Sequence, residues 1–191
     1  MGTIRHLDWL ARRCARLRAR SARVVLTNGC FDLLHVGHVR YLRTARRLGD
    51  CLIVGINGDE SVRRLKGPGR PLLPEAERAE VVAALACVDY VVVFQEDTAD
   101  LLVERLRPDV YVKGADYAPG GGGTPLPETR AVAASGGRVE LVPLVPGRST
   151  TELVAEILRR CRPESGSSGP ASSPGEGLAP ARDAEDGATG C

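Results

Sequence analysis

Apolar residues fall in short unbroken runs, and between the runs an apolar residue recurs at every third or fourth position. Residues 23–28, 51–57, 89–94, 109–112 and 139–143 are such runs and read as five strands. Runs of this kind are buried on both faces, which requires a parallel sheet. Val39, Leu42, Ala45 and Leu48 mark one face of a helix over 37–48, ended by Gly49. A second helix reads from 74 to 86, with proline at its start and acids in its first turn. A third spans 98–106 with Thr98 as N-cap, and a last one spans 149–160. Strands joined by helices imply right-handed crossovers, so the predicted architecture is α/β, a doubly wound parallel five-stranded sheet. Ligands of such sheets bind beyond the carboxyl ends of the strands. Chemistry is therefore expected just after Asn28, Asn57, Phe94 and Val112.

The two ends break this pattern. Residues 162–191 hold 20 Pro, Gly, Ser or Ala and one large aliphatic, Leu178. Such a segment buries too little surface to offset the entropy of ordering it, so a disordered tail is expected there. Residues 1–23 carry seven Arg and one Asp, with Leu7, Leu10, Cys14 and Leu17 on one helical stripe. An organelle transit peptide, a basic face for an anionic partner and a helix packed on the domain all fit that composition. The direct run into a core strand favours the packed helix. The expected organisation is thus an N-terminal helix over 1–23, a domain over 24–161 and the tail.

Composition narrows the class. The net charge of +2 excludes a polybasic nucleic-acid coat, so no nucleic-acid partner is expected. No apolar run approaches the ~20 residues that span a bilayer, so no membrane role is expected either. Six scattered cysteines lack metal-ligand spacing and suit a reducing cytoplasm as free thiols. Arginine outnumbers lysine 24 to two, and both lysines, Lys66 and Lys113, precede glycine.

The first strand ends in Thr27-Asn28-Gly29-Cys30-Phe31-Asp32-Leu33-Leu34-His35-Val36-Gly37-His38. Gly29 and Gly37 let backbone approach a ligand. The helix start offers free N–H groups and the positive end of a dipole to a phosphate, and two imidazoles stand beside it. A zinc pair lacks a third ligand at suitable spacing. No G-K-[ST] follows the glycines, so this is not a Walker loop. Asp32, a carboxylate inside a phosphate site, either orients the histidine region or helps hold a metal. Asp59 reads as an N-cap or a site acid.

This stretch resembles the H-x-G-H motif of the cytidylyltransferase-like nucleotidyltransferase superfamily. Arg64 to Pro71, the Glu77-Arg78 pair, Val112 to Tyr117 and Ser149-Thr150-Thr151 resemble the nucleotidyltransferase half of the bacterial bifunctional heptose kinase/adenylyltransferases. The resemblance covers residues 3–160 and implies a Rossmann-like domain without the kinase half. It implies transfer of AMP from ATP to D-glycero-β-D-manno-heptose 1-phosphate, with Mg2+ carried by the triphosphate rather than by a dedicated metal site. It assigns catalysis to His35, His38 and Lys66, the lysine placed in a mobile Gly-Pro-Gly loop. Nucleotide binding falls to Asn28, Gly29, Cys30, Phe31, Asp32, Gly37, Lys113, Gly114, Asp116, Ser149, Thr150 and Thr151. A homodimer is typical of such enzymes.

Such chemistry needs positioned positive charge rather than a base. A sugar phosphate is already largely dianionic at neutral pH, since its second pKa is about 6. Two departures stand out. Leu144 replaces the arginine that opens the R-T-E-G-I-S-T motif of glycerol-phosphate cytidylyltransferases, and Gly120 to Gly123 interrupt the segment after Tyr117. A cytidylyltransferase for a small phosphate and a non-catalytic nucleotide- or nucleic-acid-binding regulator remain as alternatives.

Overall fold

The computed structural model describes residues 2–117, 126–143, 147 and 149–162. Its six strands are β1 (Thr3–Ile4), β2 (Val24–Gly29), β3 (Cys51–Asn57), β4 (Tyr90–Phe94), β5 (Val110–Gly114) and β6 (Arg138–Val142). The helices are α1 (Leu7–Arg18), α2 (Val36–Arg46), α3 (Asp59–Lys66), α4 (Glu75–Ala83), α5 (Asp100–Leu106), α6 (Thr129–Ala134) and α7 (Thr150–Arg160). The strands form one sheet in the order β1-β4-β3-β2-β5-β6. Every pairing is parallel.

The expected doubly wound parallel sheet is present, but it has six strands rather than five. The sixth is β1, which pairs Thr3 with Tyr90 and Ile4 with Val91 at the edge. It lies in the segment expected to be helical throughout, and two exposed residues leave no periodicity to read. The apolar pattern announces neither α3 nor α6; both are short, and Gly-Pro-Gly after Lys66 masks the first.

Each face of the sheet has its own core. Val25, Leu42, Val54, Ile56, Val82 and Val112 pack under α2 and α4. Leu26, Ile53, Phe94, Leu102, Leu106 and Tyr111 pack under α1 and α5, where Leu10 and Cys14 of α1 are fully buried. The stripe on α1 therefore faces the domain. Burial pushes the Cys14 and Cys51 thiols up to about 11 and about 12, as expected of core residues rather than reactive ones.

A hydrogen-bond knot fixes α2 over the sheet. The hydroxyls of Thr27 and Tyr41 lie 2.7 Å apart and 3.0 and 2.9 Å from the Val112 carbonyl, so one hydroxyl donates to the other and the second donates to the carbonyl. α2, β2 and β5 are thereby locked together just below the carboxyl edge. The tail expected from 162 onward lies outside the described residues beyond Arg162, and so does the four-glycine run.

Candidate active site

At the end of β2 the chain turns through Cys30, Phe31 and Asp32. Phe31 takes φ 47°, a left-handed conformation that costs a side-chain-bearing residue roughly 1–2 kcal/mol. Burial of its ring helps offset the strain. A Cβ on Gly29 would stand 3.1 Å from that ring, so Gly29 is what lets Phe31 fold inward.

Asp32 is buried just beyond it. Its Oδ1 accepts from the N–H groups of Leu72 (2.7 Å) and Leu73 (3.2 Å), and its Oδ2 accepts from Arg70 Nη1 (2.6 Å). Burial alone would raise its pKa, but the Arg70 guanidinium and the two amides outweigh it and hold the carboxyl below the usual range. Both oxygens bond to the segment 70–73, so Asp32 clamps that segment. Among the described residues no group of three or more His, Cys, Asp or Glu could hold a metal ion.

His35 is the N-cap of α2, and its Nδ1 accepts from the Gly37 N–H at 3.1 Å. In the neutral ring that assigns the proton to Nε2, which becomes a donor. The His38 ring stacks on it, with centroids 3.9 Å apart and planes 24° apart. Burial, and then the neighbouring imidazole, depress the His38 pKa to about 4; the Leu33 carbonyl offsets little of this. His38 is therefore neutral at physiological pH. Its Nδ1 is buried without a hydrogen-bond partner among the described residues.

This depression has a testable sign. Above pH 6.5 His38 is neutral in both the folded and unfolded chains and contributes no pH dependence. As pH falls from 6.5 toward 4, only the unfolded chain takes the proton, so folding stability is lost. At pH 5 the loss reaches about 2 kcal/mol. Urea denaturation at pH 7.5 and pH 5 is expected to show a larger drop for wild type than for His38→Asn. Equal drops would mean that the imidazole is not desolvated.

A second helix start meets the first. Ser149 caps α7, accepting from Glu152 N–H at 3.1 Å, and Thr150 Oγ1 donates to the Leu33 carbonyl at 3.4 Å. That bond ties α7 to the loop two residues before His35. The positive ends of two helix dipoles thus reach one cleft of about 680 Å3. Asn28, Gly29, Cys30, Phe31, Asp32, His35, Gly37, His38, Lys66, Lys113, Gly114, Ser149, Thr150 and Thr151 all line it. Asp116 lies in the short 3-10 turn Ala115–Tyr117, its side chain outside the described residues.

The lysines differ. Lys66 is exposed, and it is the last residue of α3 rather than a loop residue. Gly67 follows at φ 95°, a conformation open to glycine that releases the chain from the helix. Lys113 is 8% exposed at the end of β5, with Nζ 5.1 Å from the Tyr117 ring centroid and 5.7 Å from that of Tyr111. The Cys30 thiol is pushed up by burial, against the pull of Lys66 and Arg78, so it is no activated nucleophile.

Several supporting residues escape sequence reasoning. Arg78 is fully buried and donates to the Leu73 and Cys30 carbonyls and to Asp59. Asp59 is thus an ion-pair partner in the first turn of α3, and Gly58 is the N-cap. Asn57 donates to Ser61 Oγ at 3.1 Å, and Ser61 donates to the Glu96 carbonyl at 3.0 Å, which fixes the start of α3. Glu128 is buried and accepts from Ala99 N–H at 2.9 Å. No local pattern announces these partners; only the Glu77-Arg78 pair carries a sequence signal.

Comparison with known proteins agrees with this geometry. Residues 26–123 match the cytidylyltransferase-like family model. The chain is 59% identical over 143 residues to the bifunctional protein HldE of Syntrophotalea carbinolica, which is 75% of this chain and 28% of that protein. It is 54% identical over 148 residues to HldE of Streptomyces coelicolor, covering 78% of this chain and 31% of that one. The chain thus spans under a third of the length of these curated relatives. Among solved structures, a lipopolysaccharide core biosynthesis protein from Thermoplasma volcanium superposes with a TM-score of 0.52 at 26% identity, over 65% of this chain and 97% of that one. A pantoate-beta-alanine ligase from Francisella tularensis, 12% identical, shares the fold with a TM-score of 0.51 over 83% and 80% of the two chains. The strand-end motif from Thr27 to His38, its paired histidines and the strands β3, β4 and β5 all lie within the matched segment, and the chain belongs to the cytidylyltransferase-like family.

Proposed function

We propose that the chain transfers AMP from ATP to D-glycero-β-D-manno-heptose 1-phosphate, giving ADP-heptose and pyrophosphate. The observation that carries this reading is that the histidine pair and both lysines fall inside the family segment, in a chain more than half identical to HldE proteins. The motif resemblance to bacterial heptose adenylyltransferases supplies the substrate.

In this reaction an oxygen of the sugar phosphate attacks the α-phosphorus. A new P–O bond forms, the α–β bridging bond breaks, and pyrophosphate leaves with the electron pair. The nucleophile is already ionised, so the protein contributes position and positive field. His35 Nε2–H and His38 donate to the crowded α-phosphoryl oxygens. The first-turn N–H groups of α2 and α7 face the phosphates. Mg2+ arrives as part of the substrate, on the triphosphate. Free thiols at Cys14, Cys30, Cys51, Cys87 and Cys161 suit a cytoplasmic setting. Among the described residues no helix is long and apolar enough to cross a membrane. The homodimer that the resemblance implies is read by light scattering.

Pyrophosphate release with ATP or CTP and a panel of sugar phosphates and glycerol 3-phosphate tests the reading. ATP with the heptose phosphate is expected to be the best pair, and a preference for CTP or for glycerol 3-phosphate overturns it.

The lysines are expected to separate kinetically. Lys66, exposed at the tip of α3, reaches the charge that develops on pyrophosphate, so Lys66→Ala lowers kcat more than it raises KM. Lys113, held at the end of a buried strand, makes a preformed contact, so Lys113→Ala chiefly raises KM for ATP. Arginine restores neither, being planar and differently solvated. Steady-state kinetics with both variants at wild-type values would make them ordinary lysines.

A further inference from the structure

The cleft contains a polar cluster that phosphate chemistry does not explain. Glu128, just before α6, is 3% exposed and lines the cleft. Its Oε1 is held by the Ala99 N–H at the start of α5, which fixes the orientation of the carboxyl group. Its Oε2 is buried and receives no hydrogen bond among the described residues. The Tyr111 phenol lies against this acid, and burial followed by Glu128 pushes its pKa far up, so it stays protonated. Its short hydrogen bond goes to Asn28 Oδ1 at 2.5 Å, and its weaker pull on Glu128 falls short of a hydrogen bond to Oε2. A buried oxygen left without a donor is costly, and a ligand donor would remove that cost.

The donor cannot be the phosphates, which at neutral pH have essentially no protons to give and are repelled by an acid. The cluster is also set apart from the phosphate groups. Thr27 bonds to Tyr41 on the α2 side of the sheet, and the next residue, Asn28, turns to Tyr111 on the α5 side. The same cleft is lined by Thr98 from the β4–α5 connection and by Glu128 just before α6. Amide, hydroxyl and carboxyl groups of this kind suit a polyol.

We propose that Glu128, beside the Tyr111-held Asn28, accepts a hydrogen bond from a hydroxyl of the acceptor sugar, and that this part of the cleft is the polyol subsite. The assignment rests on the reading of the chain as a sugar-1-phosphate nucleotidyltransferase. It makes Glu128 a specificity-determining residue. An acceptor lacking the hydroxyl that meets Oε2 leaves that oxygen buried and unsatisfied, which is how sites built to hydrogen-bond a substrate reject deoxy analogues.

The test is Glu128→Gln, which keeps an oxygen for the Ala99 N–H and replaces the open acceptor with an NH2. KM for the heptose phosphate is expected to rise ~10-fold or more, with KM for ATP within about twofold of wild type. In parallel, monodeoxy sugar 1-phosphates are assayed with the wild-type enzyme, a measurement independent of how the variant folds. One of them is expected to lose ~10-fold or more in kcat/KM, and that loss should vanish in Glu128→Gln. An unchanged sugar KM, a rise in the ATP KM instead, or equal use of every deoxy analogue overturns the subsite. Absence of wild-type turnover with every sugar 1-phosphate overturns the sugar-phosphate reading as well, and so is distinguishable from failure of the subsite alone.

Discussion

His38→Ala is expected to lower kcat by about 10²–10³-fold, the effect of removing one donor aimed at developing charge. The ring sits in the first turn of α2, stacked on His35 and tilted against Phe31 at 5.2 Å. Its depressed pKa keeps it a neutral donor before substrate arrives. A bound triphosphate favours the protonated ring, so the field in the complex pulls its pKa back up. The imidazole thus interacts more strongly as negative charge builds, which is why its loss should fall on kcat and leave the ATP KM within a fewfold. The Thr27–Tyr41–Val112 knot holds α2 without help from His38. The variant should therefore fold, and circular dichroism with a melting curve checks that. A folded His38→Ala enzyme with wild-type turnover at saturating substrates would remove this motif from the chemistry.

The histidine pair was legible because its signal is local. Two imidazoles three residues apart at a strand-to-helix junction form a rare pattern, and the fold only had to place them at the carboxyl edge. The central strands were legible for a similar reason, since burial on both faces writes continuous apolar runs. β1 left no such trace: two residues, both exposed, add to the sheet by pairing with Tyr90 and Val91. Lys66 was legible as a residue but not as a helix end, because Ser61 and Val62 are the only buried positions of α3. Glu128 was illegible, and Arg78 was legible only as part of a motif and not by its role, because their meaning lies in partners far along the chain. Glu128 finds Ala99 29 residues away, and Arg78 finds Cys30 48 away. Periodicity reports which face a residue takes; it does not report which carbonyl or amide waits there.

Arg78→Ala is expected to destabilise the fold by ~3–5 kcal/mol, the range for removing one partner of a buried charged network. For a domain of this size that lowers the melting temperature by roughly 10 °C. The Arg78 guanidinium is fully buried and satisfies three segments at once. Nε donates to Leu73 O at 2.9 Å, Nη1 to Cys30 O at 2.5 Å and Nη2 to Asp59 Oδ1 at 2.6 Å. Those acceptors belong to the clamp segment, the turn after β2 and the first turn of α3. Leu73 and Cys30 flank the Asp32 clamp from two sides, so Arg78 and Asp32 bind the same segments with opposite charges. Loss of the guanidinium strands two carbonyls and an acid, and it frees α3, whose last residue is Lys66. Arg78→Lys should recover little, because one compact ammonium cannot span a three-way fork. Arg78→Met separates the causes: it fills most of the volume yet satisfies none of the acceptors, so it should fail nearly as badly as alanine. Melting curves of the three variants decide the point. A methionine variant as stable as wild type would show that packing, not the hydrogen-bonded charge, holds these segments together.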